Sequence, residues 1–259
     1  EDTYAMKTKP AFMNFTVDHM TLLFHPSLYP IAYAVFRIIL GTTPDDLLYE
    51  KRRPGKNGEK DKSMTFATCV GKWTAEEKEP LPTIFAIVQP TEPAAEPSHV
   101  REMLQGLERH AHLQHIALRT PDLISFHKHC VERGVQFVTP ILKDDHENLI
   151  QVFSAEWFLP GGRPSGLFFE FVQRDPSSDE LAEIQKANKQ SWFRDETFLG
   201  LYDEKEREYQ SGKVKSFVTE KAFNRISERL AGKQVFEITE DDLADVERIM
   251  IATAKEEQA

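Results

Sequence analysis

The feature that most limits what this chain can fold into is an internal duplication across its first two thirds. Residues 17–22 (VDHMTL) resemble residues 113–118 (LQHIAL), and residues 83–89 (TIFAIVQ) resemble residues 167–173 (LFFEFVQ). The two matches occur in the same order, one opening and one closing each copy, which is harder to obtain by chance than either match alone. Self-similarity of this kind is the signature of a repeated structural unit. The sequence therefore predicts two copies of one module.

Within each copy the hydrophobic pattern predicts the order β-α-β-β-β. An opening strand is followed by a helix with apolar residues at helical spacing and then by three strand-like runs. In the second copy, Thr120 is the predicted N-cap of the helix and Gly134 its end. In the first copy, Pro30 leads the helix and Gly41 ends it. The three strands after the helix are predicted at 47–53, 64–71 and 83–89 in the first copy, and at 135–141, 148–154 and 166–173 in the second.

The rest of the chain has a different character. Residues 98–109 have the pattern of a linking helix, and residues 175–259 carry sparse apolar positions among many charges, which predicts three or four amphipathic helices. We therefore predict an α+β fold in three parts: a first βαβββ module over 14–97, a linker helix and second βαβββ module over 98–174, and a C-terminal helical extension over 175–259.

Composition excludes several functional classes. The net charge of −10 argues against a nucleic-acid partner, because phosphate binding requires an excess of Lys and Arg. The most apolar stretch, residues 29–40, is too short to span a bilayer and carries Arg37, and no signal peptide is visible. The two cysteines, Cys69 and Cys130, form neither a disulfide framework nor a metal motif. We expect a cytoplasmic protein with reduced cysteines and no membrane partner.

Three side chains stand out as candidate metal ligands. His19 and His115 occupy the same position in the two copies, and Glu170 lies between two phenylalanines, where a lone acid is rare without a partner. The position of Glu170 is held in the first copy by Ala86. Two imidazoles and one carboxylate suit a non-haem Fe(II) site with open positions. Core histidines and a half-exposed acid on an edge strand are the alternative interpretations.

These motifs resemble the vicinal oxygen chelate superfamily and, within it, the metal-binding half of the 4-hydroxyphenylpyruvate dioxygenase family. Residues 18–19 (DH), 114–118 (QHIAL) and 168–174 (FFEFVQR) resemble that family's three ligand motifs. Residues 149–154 (LIQVFS) are similar to a segment that lines the substrate pocket, and residues 196–202 (ETFLGLY) to a gating helix. The resemblance implies that the two modules form a half-open mixed β-barrel. The chain departs from the family in carrying a single double-module half.

The resemblance also implies an activity. It implies a non-haem Fe(II)-dependent dioxygenase that acts on a 2-oxo acid and O₂, with oxidative decarboxylation coupled to hydroxylation. The Fe(II) ligands, which are catalytic through the metal, would be His19, His115 and Glu170. The substrate-binding residues would be Gln151, Phe153 and Phe198.

Two other functions remain open on sequence grounds. Metal-dependent isomerases, epimerases or lyases of the same scaffold usually use four ligands, one of them at the position held here by Ala86. A non-catalytic small-molecule-binding protein is the other alternative, and the presence of a homo-oligomer is left open.

Overall fold

The computed structural model describes residues 10–55, 58–71, 83–144, 148–187 and 197–259, with the side chains of 187 and 197–199 outside the described part. The strands are β1 (Thr16–Phe24), β2 (Leu47–Arg53), β3 (Lys62–Val70), β4 (Thr83–Val88), β5 (Ala111–Arg119), β6 (Leu142–Asp144), β7 (Leu149–Phe153) and β8 (Phe168–Arg174). The helices are α1 (Tyr29–Ile38), α2 (His99–Gly106), α3 (Leu123–Glu132), α4 (Ser178–Ala187), α5 (Thr197–Ser211), α6 (Glu220–Arg229) and α7 (Glu240–Gln258).

The strands form one eight-stranded mixed sheet in the order β2-β3-β4-β1-β5-β8-β7-β6. The order is the same in both modules when read outward from the centre, because β1 neighbours β4 as β5 neighbours β8. Strands β1 and β4 run parallel, whereas β3 pairs antiparallel with β2 and β4, and β7 pairs antiparallel with β6 and β8. The predicted α+β fold of two βαβββ modules is confirmed.

The chain divides into two compact units. The first-module unit comprises residues 17–118 and 205–213, and the second-module unit comprises residues 1–16, 119–204 and 214–259. The three-part division of the sequence into 14–97, 98–174 and 175–259 stays a prediction.

In the first-module unit, one side of α1 packs against the sheet. Pro30 lies in its first turn, where the missing N–H breaks no helical hydrogen bond. The helix ends at Ile38, before the predicted end at Gly41, whose φ of 70° favours glycine in the turn that follows. The rings of Phe36 and Phe66 meet edge to face with centroids 6.3 Å apart. One buried apolar cluster of this unit consists of Tyr29, Ala32, Phe36, Phe66 and Ile87.

In the second-module unit, a buried apolar cluster covers one side of the short β6–β7–β8 sheet. Its members are Leu142, Phe153, Phe168 and Leu201, with Val138 packed against them. Because Leu201 belongs to α5, this helix contributes to the apolar cluster that contains Phe153 of β7 and Phe168 of β8.

The structure differs from the sequence prediction at the start of α3. The N-cap is Asp122, whose Oδ1 accepts a hydrogen bond from the backbone N–H of Ser125 at 2.9 Å. Thr120 was the predicted cap, but its hydroxyl donates to the carbonyl of Phe12 at 2.7 Å instead. The helix therefore begins two residues later than predicted, and the hydroxyl oxygen of Thr120 accepts a hydrogen bond from the backbone N–H of Asp122 at 3.3 Å instead of capping the helix.

The predicted strand over 135–141 is also wrong. Residues Val135 and Phe137 form only isolated bridges, to Val218 and Ser154 respectively, and the regular strand β6 begins at Leu142. Pairing with two different segments in turn prevents a continuous hydrogen-bonded ladder.

The described residues of the C-terminal extension contain four α-helices, within the predicted three or four. Thr239 and Asp242 form a capping box at the start of α7. Among the described residues, no helix is both long and apolar enough to cross a lipid bilayer.

Candidate metal centre

His19 and His115 face each other in the first-module unit. His19 lies on β1 and His115 on β5, and their ring centroids are 5.7 Å apart with an interplanar angle of 77°. His115 is buried, and the side chain of His19 is 20% exposed. The duplication thus brings two equivalent imidazoles together, with one of them open to solvent.

Each imidazole is oriented by the residue immediately before it. Nδ1 of His19 lies 3.0 Å from Oδ1 of Asp18, and Nδ1 of His115 lies 3.0 Å from Oε1 of Gln114. Both oxygens can only accept, so in each neutral imidazole Nδ1 carries the proton and Nε2 is the unprotonated nitrogen. Second-shell acceptors of this kind are typical of histidines that bind metals through Nε2.

Sequence reasoning assigned no role to Asp18 or Gln114. The signal was present in the duplication, because both copies place a side-chain oxygen acceptor directly before the aligned histidine. Only the side-chain geometry shows that Asp18 and Gln114 orient the two histidines, because the sequence alone presents them as two polar residues without a shared role.

Glu170 lies on β8 in the second-module unit and is 2% exposed. It is directly opposite Phe153 of β7, and Gln151 lies two residues earlier on the same strand. Because side chains alternate along a strand, these three side chains point to one face of the sheet. The apolar cluster containing Phe153 and Phe168 lies on this same face, so the carboxylate is in a largely dry environment.

Gln151 is buried, yet no hydrogen bond joins its side-chain amide to another described residue. A role of this amide in binding a substrate stays a prediction. Phe198 falls in α5, but its side chain lies outside the described residues. Its predicted place at the pocket mouth therefore stays a prediction.

Within the described part of the chain, His19, His115 and Glu170 form a group that could hold a metal ion. Each offers one ligand atom, and these atoms all lie within 4.8 Å of one another. Ala86, buried on β4 at the position that duplicates Glu170, offers only a methyl group. Among the described residues, the candidate donor set is therefore two imidazoles and one carboxylate.

Cys130 does not offer an alternative reactive centre. Neither Cys69 nor Cys130 forms a disulfide, and burial raises the pKa of the Cys130 thiol to about 12. A thiol with so high a pKa is not ionised near neutral pH and is a poor nucleophile.

No protein-family model and no curated protein matches this sequence. Among solved structures, the chain is similar to a triply substituted 4-hydroxymandelate synthase from Streptomyces coelicolor, with a TM-score of 0.52 and 17% identity. The match covers 78% of this chain and 56% of the synthase chain, so this chain spans little more than half the length of that protein.

Methylmalonyl-CoA epimerase structures also match, with lower TM-scores. One selenomethionine structure has a TM-score of 0.43 at 18% identity, covering 66% of this chain and all of the epimerase. The enzyme from Mycobacterium tuberculosis has a TM-score of 0.41 at 15% identity, covering 67% of this chain and 95% of its own. The match to the synthase, together with the sheet order, confirms the predicted vicinal oxygen chelate fold.

Proposed function

We propose that this chain is a non-haem Fe(II)-dependent dioxygenase that acts on a 2-oxo acid, with oxidative decarboxylation coupled to hydroxylation. The observation that carries the proposal is the group of His19, His115 and Glu170, whose ligand atoms lie within 4.8 Å of one another. Two histidines and one carboxylate are the donor set of non-haem Fe(II) oxygenases with open positions.

The chemistry of these residues fits a divalent cation. Nε2 of each histidine and the carboxylate of Glu170 would supply three ligands, and the negative charge of Glu170 would partly offset the positive charge of the metal. When bound, Fe(II) would supply a redox-active Lewis acid able to accept a chelating 2-oxo acid and O₂ together. Ala86 adds no ligand, which favours a site with room for both.

The neighbouring protein residues would orient the ligands, exclude water and bind the substrate. Asp18 and Gln114 hold the proton on Nδ1 of the two imidazoles, so Nε2 is the nitrogen of each ring that would bind the metal. Phe153 and its apolar neighbours would exclude water from the side of Glu170, and Phe198 would close the pocket mouth. The side-chain amide of Gln151 would bind a polar group of the substrate.

Metal loading is the first test of this proposal. Protein purified anaerobically should bind one equivalent of Fe(II), as measured by elemental analysis. Glu170→Ala and His115→Ala should each lose this metal, with an affinity drop larger than the roughly 10- to 100-fold cost of removing an outer-shell partner. Glu183→Gln, an exposed substitution on α4, and His25→Ala, an exposed histidine of the first-module unit, serve as matched controls that should keep the metal.

Oxygen uptake is the second test. The Fe(II)-loaded protein should consume O₂ and release CO₂ in equal amounts with at least one member of a panel of aryl and alkyl 2-oxo acids. Stoichiometric iron in Glu170→Ala would refute the ligand assignment. Metal binding without O₂ uptake across the panel would refute the oxygenase and favour an isomerase, epimerase or lyase on the same site.

A further inference from the structure

The first-module unit contains a cleft of about 830 Å³ beside α2, at the edge of the sheet where four strands end or begin. His25 follows β1, Lys62 opens β3, Gln89 follows β4 and His110 precedes β5. The rest of the wall comes from α2 and the residues on either side of it, and we name this concave surface the α2 cleft. Its volume lies within the range of roughly 300–1,000 Å³ that is typical of small-molecule sites.

The α2 cleft is separate from the candidate metal centre. His25 stands six residues beyond His19 on the same extended segment. A strand rises about 3.3 Å per residue, so these two histidines are on the order of 20 Å apart. None of the three candidate metal ligands lines the cleft.

Three cationic side chains line the α2 cleft, those of Lys62, Arg101 and Arg109. No hydrogen bond or ion pair joins the side chain of Lys62 or Arg109 to another described residue. The guanidinium of Arg101 donates to two backbone carbonyls, those of Glu92 at 2.5 Å and Glu96 at 3.0 Å. These carbonyls hold the guanidinium in place without neutralising it, so none of the three cations forms an ion pair with a described carboxylate.

The acidic residues of the α2 cleft do not cancel this positive charge. Two carboxylates line the cleft, those of Glu92 and Glu108. Glu92 is buried, and its Oε1 accepts a hydrogen bond from the guanidinium of Arg53 at 2.5 Å, so this carboxylate already has a cation of its own. Set against Glu108, the three cations leave a surplus of two positive charges, although the whole chain has a net charge of −10. Charges of one sign along a concave wall concentrate their field inside it and favour a ligand of the opposite sign.

We propose that the α2 cleft binds an organic phosphate monoester, whose phosphate is held by Lys62, Arg101 and Arg109. A phosphate monoester carries about −1.5 to −2 charges near neutral pH, which matches the surplus of two positive charges. Its terminal oxygens accept charge-assisted hydrogen bonds from ammonium and guanidinium groups. Pro90 and Leu104 also line the cleft and offer an apolar surface to the organic part of the ligand. This site needs no metal, so it does not depend on the proposed dioxygenase activity.

Calorimetric titration of the metal-free full chain with phenyl phosphate tests the proposal. The chain should bind one equivalent, at least about 10-fold more tightly than inorganic phosphate, because the ring adds apolar contact with Pro90 and Leu104. Benzoate has the same ring and a single negative charge, so it should bind more weakly than phenyl phosphate. Equal affinities for phenyl phosphate and inorganic phosphate would overturn the assignment to an organic ligand. Equal affinities for phenyl phosphate and benzoate would overturn the assignment to a phosphate.

Substitution of the cations tests the site itself. Lys62→Gln/Arg109→Gln should raise the Kd for phenyl phosphate at least about 10-fold, because it removes two charge-assisted contacts. Both side chains are exposed, so the far-UV spectrum should remain that of the wild type. Arg163→Gln/Lys213→Gln is the matched control, since it removes the same charge from exposed positions outside the cleft and should keep the wild-type affinity. Equal affinity in the two double variants would overturn the proposal.

The imidazole proton resonances report where phenyl phosphate binds. The resonances of His25 and His110, assigned by substitution, should shift during a titration at constant pH, because both rings line the α2 cleft. The resonance of His129, in the second-module unit, should not shift. Binding that occurs only after Fe(II) is added would place the phosphate on the metal and overturn the proposal, and so would the absence of saturable binding by the metal-free chain.

Discussion

Asp18 and Gln114 each accept a hydrogen bond from the candidate ligand histidine that follows them. Each fixes the tautomer of the histidine that follows it, although one is a carboxylate and the other a neutral amide. The negative charge of Asp18 makes the His19 imidazole a stronger donor to a cation than Gln114 makes that of His115. The two halves of the duplication are therefore electrostatically unequal at the metal group.

This inequality leads to a prediction for Asp18. Replacing Asp18 with Ala removes the acceptor of the Nδ1 proton, so His19 loses its fixed orientation and the Fe(II) affinity should fall by about 10- to 100-fold. The affinity is measured by competition with a coloured chelator under anaerobic conditions. Asp18→Asn keeps an acceptor oxygen and should fall between Asp18→Ala and the wild type. Unchanged affinity in Asp18→Ala would show that the hydrogen bond does not support the metal site.

At the scale of the elements, a buried ion pair joins α7 to the end of α3. The guanidinium of Arg133, just after α3, donates to the carboxylate of Glu247 on α7 at distances of 2.5 and 2.7 Å. Arg133 is 7% exposed and Glu247 3% exposed. Because both charges are removed from water, each depends on the other for compensation.

We therefore predict that Arg133→Met lowers the free energy of unfolding by about 3–5 kcal/mol, since it leaves the carboxylate of Glu247 buried without its cation. Urea unfolding followed by circular dichroism measures the loss. The double variant Arg133→Met/Glu247→Leu should recover much of it, because neither charge is then stranded.

The pair of Arg225 and Glu256, between α6 and α7, provides the control. Both of its side chains are well exposed, at 39% and 46%. Arg225→Met should therefore cost only about 0–1 kcal/mol. A similar cost for Arg225→Met and Arg133→Met would contradict the importance of burial at Arg133.

At the scale of the whole molecule, folding lowers the pKa values of three histidines, His99, His127 and His129. Burial, aided by the nearby Arg133, lowers the pKa of His129 from 6.5 to about 4. Burial also lowers the pKa values of His99 and His127. In the unfolded chain these groups take up protons near pH 6.5, whereas in the folded protein they do so only at lower pH.

The folded state should therefore lose stability as the pH falls from 6.5 towards 4, because protons bind preferentially to the unfolded chain over that range. The loss is measured from urea unfolding midpoints across this range. His129→Gln removes one of the groups, so its stability should fall less steeply with decreasing pH. An identical slope in His129→Gln and the wild type would show that His129 is not responsible.

The sequence predicted the fold through its repetition. A duplicated strand start and strand end imply two copies of one βαβββ unit, and the sheet order β2-β3-β4-β1-β5-β8-β7-β6 has that symmetry. Element boundaries were harder to predict. The strand expected at 135–141 failed because the partners of Val135 and Phe137 lie in different segments, which no local pattern records.

What the sequence determined by itself was the identity and order of the candidate ligands, because the repeated motif marks His19 and His115 as equivalent positions and Glu170 stands where the first copy has Ala86. The tertiary structure alone decided which nitrogen of each histidine carries the proton. Asp18 and Gln114 occupy Nδ1 of each histidine, and only packing makes these hydrogen bonds form. The tertiary structure also decided that one side of α1 is exposed. A helix with apolar residues on both sides is fully buried only if a second surface covers it, and the sequence does not specify such a surface.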